Sequence, residues 1–136
     1  MAHEKFRCEV LTPEGQVFDD EVEQISTRTA VGSIGILKGH QPLLGMAEPA
    51  ELRLYRSESD VVKLAQGEGY IQVGADGDVL ILVEEAVAPE DLDRGELSEK
   101  LKESQARLDQ AEDGSEEARV AARDKRRWET FLELAG

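Results

Sequence analysis

Histidine, cysteine, glycine-rich segments and a run of arginines are the residues in this chain whose types and spacing could do chemistry. His40 sits in Lys38-Gly39-His40-Gln41-Pro42, and the other histidine, His3, stands near the start of the chain. No serine or cysteine lies in a recognisable nucleophile motif, so neither histidine has an acyl- or group-transfer partner. Cys8 is the only cysteine, which excludes an intramolecular disulfide and any cysteine-rich metal site. Gly32-Ser33-Ile34-Gly35 lacks the Gly-Lys-Ser/Thr ending of a phosphate loop. Gly67-Glu68-Gly69 lacks both a third glycine and a following helix. No catalytic residue, metal site or cofactor is expected.

Arg119, Arg123, Lys125, Arg126 and Arg127 gather positive charge in a chain whose formal charge is −14. Such an acidic balance argues against nucleic acid as a partner, since affinity for phosphate chains comes from Lys and Arg displacing counterions. It argues equally against an anionic membrane surface. The basic run has two readings: a solvated helix face paired locally with Glu116 and Asp124, or a surface that meets an acidic partner. The single free cysteine suits a reducing compartment. No stretch approaches the roughly 18 apolar residues that span a bilayer, and no signal peptide opens the chain, so no direct membrane insertion is expected.

The elements that would position these residues fall into two parts. From Phe6 to about Val87 short β runs alternate with turn residues. Phe6, Cys8 and Val10 alternate with Arg7 and Glu9, the period of a half-buried strand. Thr12-Pro13-Glu14-Gly15 reads as a turn. Asp76-Gly77, between Tyr70–Val73 and Val79–Val83, is the strongest hairpin signal. Eight to ten strands at hairpin spacing without intervening helices predict an all-β sandwich or flattened barrel over residues 1–88. Its expected core is Val22, Ile25, Ile36, Leu52, Leu54, Val73, Leu80 and Leu82.

At Pro89 the composition changes to Glu, Ala, Leu, Lys and Arg, the residues helices favour. An antiparallel hairpin of two α-helices is predicted over residues 89–136. Asp93 is the expected N-cap of the first helix, with Glu96 at the third helical position and Leu92 positioned to staple onto Leu97. Leu97, Leu101, Leu108 and Ala111 form a thin apolar stripe interrupted by Ser104. Gly114 suits a left-handed stop and Ser115 the next N-cap. Ala118, Ala121, Trp128, Leu132 and Ala135 should share one face of the second helix, and Trp128 and Phe131 read as core residues. Helices of this length are marginal alone in water, so the pair needs its shared stripe or another surface.

Three segments in register resemble one family. Gly35-Ile36-Leu37-Lys38-Gly39-His40-Gln41-Pro42-Leu43-Leu44 is similar to the Gly-x-x-Pro-Gly-His-x-Pro-Leu-Leu signature of the epsilon subunits of bacterial rotary (F-type) ATP synthases. Val10-Leu11-Thr12-Pro13-Glu14-Gly15-Gln16-Val17-Phe18 resembles that family's first hairpin, and Ala65–Val73 resembles a later strand. The likeness spans about residues 5 to 93.

The resemblance implies a non-catalytic rotor subunit of the central stalk, peripheral to the cytoplasmic face of the bacterial plasma membrane. Its sandwich would bind the gamma subunit and the ring of c subunits, coupling ring rotation to the catalytic head. Its hairpin would fold down, or extend into the alpha/beta head and inhibit ATP hydrolysis. Candidate contacts with gamma and the ring are Thr29, Gly32, Ser33, Lys38, His40 and Pro42; candidates for inhibition are Arg119, Arg123, Arg126, Arg127 and Trp128.

Two departures from the family pattern matter. Ser33 stands where the family usually has an acidic residue facing the ring. Some relatives bind ATP through Ile/Leu-Asp-x-x-Arg-Ala, and here Leu92 and Asp93 match but Glu96 replaces the arginine. A carboxylate cannot donate to phosphate and repels it, so ATP binding is expected to be lost, unless Arg94 substitutes. The competing reading is a free-standing β-sandwich adaptor with an oligomerising helical tail.

Overall fold

The computed structural model describes residues 3–135; Met1, Ala2 and Gly136 lie outside the described residues. Ten strands come first: β1 (Phe6–Thr12), β2 (Gly15–Val22), β3 (Gln24–Thr29), β4 (Gly32–Ile36), β5 (Leu43–Ala47), β6 (Ala50–Tyr55), β7 (Val61–Gln66), β8 (Gly69–Val73), β9 (Val79–Val83) and β10 (Ala86–Val87). A 3-10 turn, Pro89–Asp91, leads to α1 (Arg94–Gln110) and α2 (Glu116–Leu134). The chain divides into two compact units, one ending at Ala88 and one beginning at Pro89. The β-sandwich followed by a helical pair is thus the architecture the sequence predicts.

In the strand unit the order is β10-β7-β6-β3-β5-β8-β9-β1-β2, with β4 added alongside β3. The neighbours are antiparallel except β1 and β9, which run parallel with Val10 opposite Ile81. This pairing brings the first strand beside the ninth and folds the sheet over a single core. β1 buries Phe6, Cys8 and Val10 and turns Arg7 outward to Asp19 at 2.9 Å. Burial pushes the Cys8 thiol up to about 12, with the carboxylates of Asp19 and Glu9 adding to the shift, so it is an inert core group.

Val22, Ile25, Ile36, Leu52, Leu54 and Val73 are buried as expected, but Leu80 and Leu82 are not. In β9 it is Val79, Ile81 and Val83 that point inward. The run Val79-Leu80-Ile81-Leu82-Val83 is apolar throughout and therefore carries no phase of its own; a one-residue slip would exchange its two faces. The turn decides it. Gly74 N–H donates to the Asp78 carbonyl (2.9 Å) and Gly77 N–H to that of Gly74 (3.0 Å), which sets Val73 opposite Val79 and Ile71 opposite Ile81.

The core also holds a polar bridge. The Thr27 hydroxyl donates to Gln66 Oε1 (3.0 Å), and Gln66 Nε2 donates to the Glu48 carbonyl (2.8 Å). Gln66 is fully buried, so these bonds tie β3, β7 and the β5–β6 connection together while satisfying groups that would be costly to leave unpaired.

In the helical unit Asp93 caps α1, its carboxylate accepting from Glu96 N–H at 3.1 Å, and Ser115 caps α2, accepting from Ala118 N–H at 3.1 Å. Gly114 has φ +77°, the left-handed turn expected of it, although α1 already stops at Gln110. The stripe differs from expectation. Ser104 does not interrupt the seam but belongs to it: it is buried with Leu97, while Leu101 and Leu108 are only half-buried. Its hydroxyl donates to the Lys100 carbonyl one turn earlier (3.0 Å), which makes a serine tolerable there. On α2 the buried residues are Ala121, Arg127, Trp128 and Phe131; Ala118, Leu132 and Ala135 remain half-exposed.

The β9 register is tested by a pair of substitutions. Ile81→Ala should lose about 2–5 kcal/mol in urea unfolding, as truncations in a filled core do, whereas Leu82→Ala should lose less than about 1 kcal/mol. Equal losses would contradict the assigned inward face.

Candidate functional site

The pleat that sends Ile81 inward sends Leu82 outward, and its neighbours on adjacent strands are also apolar. Met46 of β5 lies opposite Tyr70 of β8, and Tyr70 lies opposite Leu82 of β9. Leu44 (71% exposed), Met46 (59%), Tyr70 (53%) and Leu82 (42%) therefore form a row across three strands on the outer face. A shallow groove of about 370 Å³ borders the row, lined by Leu11, Pro13, Tyr70 and Leu82, with Glu68 and Glu84 at its rim. Exposed apolar groups that are contiguous rather than scattered mark interaction surfaces.

The β3–β4 turn projects beside this face. Ala30 N–H donates to the Met46 carbonyl (3.0 Å), so the tip is pinned to β5. At its apex Val31 is 99% exposed. Thr29 is buried, and its hydroxyl donates to the Gly32 carbonyl (3.0 Å) while accepting from Val31 N–H (3.3 Å). Gly32, at φ +126°, takes a backbone conformation in which other residues are strained. Thr29 and Gly32 thus shape the tip, and Val31 and the exposed Ser33 are what it presents.

Lys38, His40 and Pro42 lie elsewhere. They occupy the loop from Ile36 at the far end of β4 to Leu43, four strand steps or about 13 Å from the tip. There His40 N–H donates to the Leu37 carbonyl (3.1 Å) and His40 Nδ1 donates to the Gln41 carbonyl (2.7 Å), which makes the histidine a loop former. Lys38 and Pro42 are exposed. The six residues singled out by sequence therefore sit at two ends of one strand pair, not in one cluster. Gly32–Gly35 lies within β4 and Gly67–Gly69 joins β7 to β8; neither opens a helix.

Sequence reasoning missed the outer row and Val31. A signal was present: residues 29–47 contain one charged residue, Lys38, in a chain that is 34% charged, where a segment of that length would carry about six. A stretch with so little charge that is nonetheless largely exposed is conspicuous on so acidic a protein.

The basic run on α2 is largely engaged. Arg119 pairs with Glu116 and is exposed. Arg123 and Arg127 reach Asp124 Oδ1 at 3.4 and 3.1 Å, and Arg107 of α1 reaches Asp124 Oδ2 at 2.8 Å. Arg127 is buried, its guanidinium 4.8 Å from the centre of the Trp128 ring, and Trp128 meets Phe131 edge-on at 5.9 Å. Arg126 is exposed. Burial pushes the Asp124 carboxyl up, but the hydrogen bond from Arg107 and the fields of Arg127, Arg123 and Arg107 outweigh it and hold the group below the usual carboxylate range.

In the segment matching the ATP motif, Leu92 is half-buried and Asp93 is committed to its cap. Glu96 is exposed in the first turn. Arg94 donates to the Leu132 carbonyl at 3.0 Å. Among the described residues no group of three or more His, Cys, Asp or Glu side chains could hold a metal ion, and no helix is long and apolar enough to cross a membrane.

A sandwich with an apolar row on its outer face, followed by a helical pair rich in internal ion pairs, is the kind of protein that acts through its surfaces. The family described as "ATP synthase, Delta/Epsilon chain, beta-sandwich domain" matches residues 5–89. The ATP synthase epsilon chain of Persephonella marina is 43% identical over 132 residues, 96% of each chain. The chloroplastic ATP synthase epsilon chain of Medicago sativa is 35% identical over 127 residues, 91% of this chain and 92% of that one. Similar folds occur in cryo-EM structures of the Euglena gracilis mitochondrial ATP synthase, OSCP/F1/c-ring (TM-score 0.79, 19% identity, 100% of this chain and 84% of that one), and of the central stalk and c-ring of the Tetrahymena thermophila mitochondrial ATP synthase (TM-score 0.62, 20% identity, 100% of each). The chain belongs to the ATP synthase delta/epsilon family as an epsilon chain.

Proposed function

We propose that this chain is a rotor element of the central stalk, peripheral to the cytoplasmic face of a bacterial plasma membrane, that couples rotation of the c-ring to the catalytic head through gamma. The observation that carries the reading is the outer row Leu44, Met46, Tyr70 and Leu82. Covering such a row is favourable, since burying apolar surface contributes about 25 cal/mol per Å². In this reading gamma covers the row. The β3–β4 tip, which presents Val31 and has Ser33 where the family usually carries an acidic residue, meets the ring through uncharged contacts. The loop of Lys38, His40 and Pro42 forms a separate contact at the other end of β4.

The helical unit is the regulatory part. Extended into the alpha/beta head it would restrain ATP hydrolysis, with Arg119, Arg123, Arg126, Arg127 and Trp128 as the surface it offers. No ATP sensor is assigned to it: Asp93 and Arg94 are already engaged at the helix ends, and Glu96 repels phosphate.

Three outcomes are expected. Met46→Asp combined with Tyr70→Asp should abolish co-purification with gamma while leaving the sandwich folded by circular dichroism; retained co-purification would show that gamma docks elsewhere, and failure of the unaltered chain to co-purify with gamma would favour the free-standing adaptor. Truncation after Pro89 should raise ATP hydrolysis by the assembled complex several-fold, and an unchanged rate would leave the helices as an assembly element. Calorimetry on the full chain should detect no ATP binding at micromolar concentration; a micromolar affinity would restore the sensor.

A further inference from the structure

The helical unit has a short apolar seam. α1 buries one apolar residue, Leu97, and α2 adds Ala121, Trp128 and Phe131. What crosses between the helices is a ladder of cations. Arg94 donates to the Leu132 carbonyl (3.0 Å), Lys100 Nζ stands 4.7 Å above the Trp128 ring, and Arg107 meets Asp124 at 2.8 Å. The partners descend α2 as the cations climb α1, as an antiparallel pair requires.

We propose that the pair is a charge latch, held shut by these α1 cations with Asp124 as its keystone. Exposed ion pairs ordinarily contribute little, but Asp124 differs. Its side chain is only 15% exposed, and it accepts from guanidinium groups on both helices. Arg123 and Arg127 come from its own helix and stay with it if the helices part; Arg107 is the partner that crosses. Removing Arg107 leaves a half-buried carboxylate compensated only from within α2, so the closed pair loses its electrostatic preference over the open one. The Lys100 contact is of the same kind, since a cation over a desolvated indole face is attracted by the ring quadrupole. Because the Arg107 side chain is 52% exposed, solvent ions reach the crossing pair from that side and ionic strength is an input: screening shortens from about 8 Å at physiological salt to about 3 Å at 1 M. The latch concerns the helices alone and does not depend on which partner the sandwich takes.

The test is amide hydrogen exchange on the full chain at low salt and at about 1 M NaCl. In the native protein, amides of α1 and α2 should exchange roughly five-fold faster at high salt, with the strands unchanged. Arg107→Gln should produce that acceleration at low salt and blunt the further response to salt. Arg107→Lys should retain most of the protection, and Lys102→Gln, which removes an exposed cation paired with Glu99 of its own helix, should leave exchange unaltered. Unchanged exchange in Arg107→Gln, an undiminished salt response, or equal acceleration in Lys102→Gln would overturn the proposal.

Discussion

The pleat of β9 is the constraint on which the strand unit depends. Because successive side chains leave a strand on opposite faces, fixing Ile81 against Ile71 and Val10 inside the core fixes Leu80 and Leu82 outside it. The same parity places Tyr70 beside Leu82 and Met46 beside Tyr70. One register thus creates both the buried layer that holds the sandwich together and the apolar row that faces outward. Core and outer apolar row are two sides of the same strands.

Short polar networks then locate what the strands leave open. Thr27, Gln66 and the Glu48 carbonyl tie the middle of the sheet to the chain leaving β5, close in sequence to Met46. Ala30 holds the β3–β4 tip against that same strand, and Thr29 closes the turn itself by donating to the Gly32 carbonyl. Val31 is thus exposed at an apex whose backbone is already hydrogen-bonded on both sides. The helical unit follows the opposite strategy. With little apolar seam to bury, its two helices are joined by Arg94, Lys100 and Arg107 of α1 reaching Leu132, Trp128 and Asp124 of α2.

Much of this was legible in the sequence. Alternation in β1, the Asp76-Gly77 turn, the compositional break at Pro89, and the Asp93 and Ser115 caps all follow from local rules, and the structure agrees with them. The β9 phase was not legible, because five apolar residues in a row fit either face. Ser104 was misread for a related reason: helix periodicity ranks residues by apolarity, whereas a close seam also selects for small size. The outer row was hidden because its members are far apart in sequence, although the near absence of charge between Thr29 and Ala47 pointed towards it.

The sequence by itself determined the kind and order of the elements, their caps and turns, and the family, because each is encoded within a dozen residues or so by periodicity, special backbone conformers or motif. Only the tertiary structure decided which face of β9 is the core, that Met46, Tyr70 and Leu82 are neighbours, that the tip and the His40 loop lie apart, and that Arg107 and Lys100 grip α2. Each of these depends on pairings between residues distant in the chain, and such pairings are selected by the joint burial of whole strands and helices rather than by any local preference.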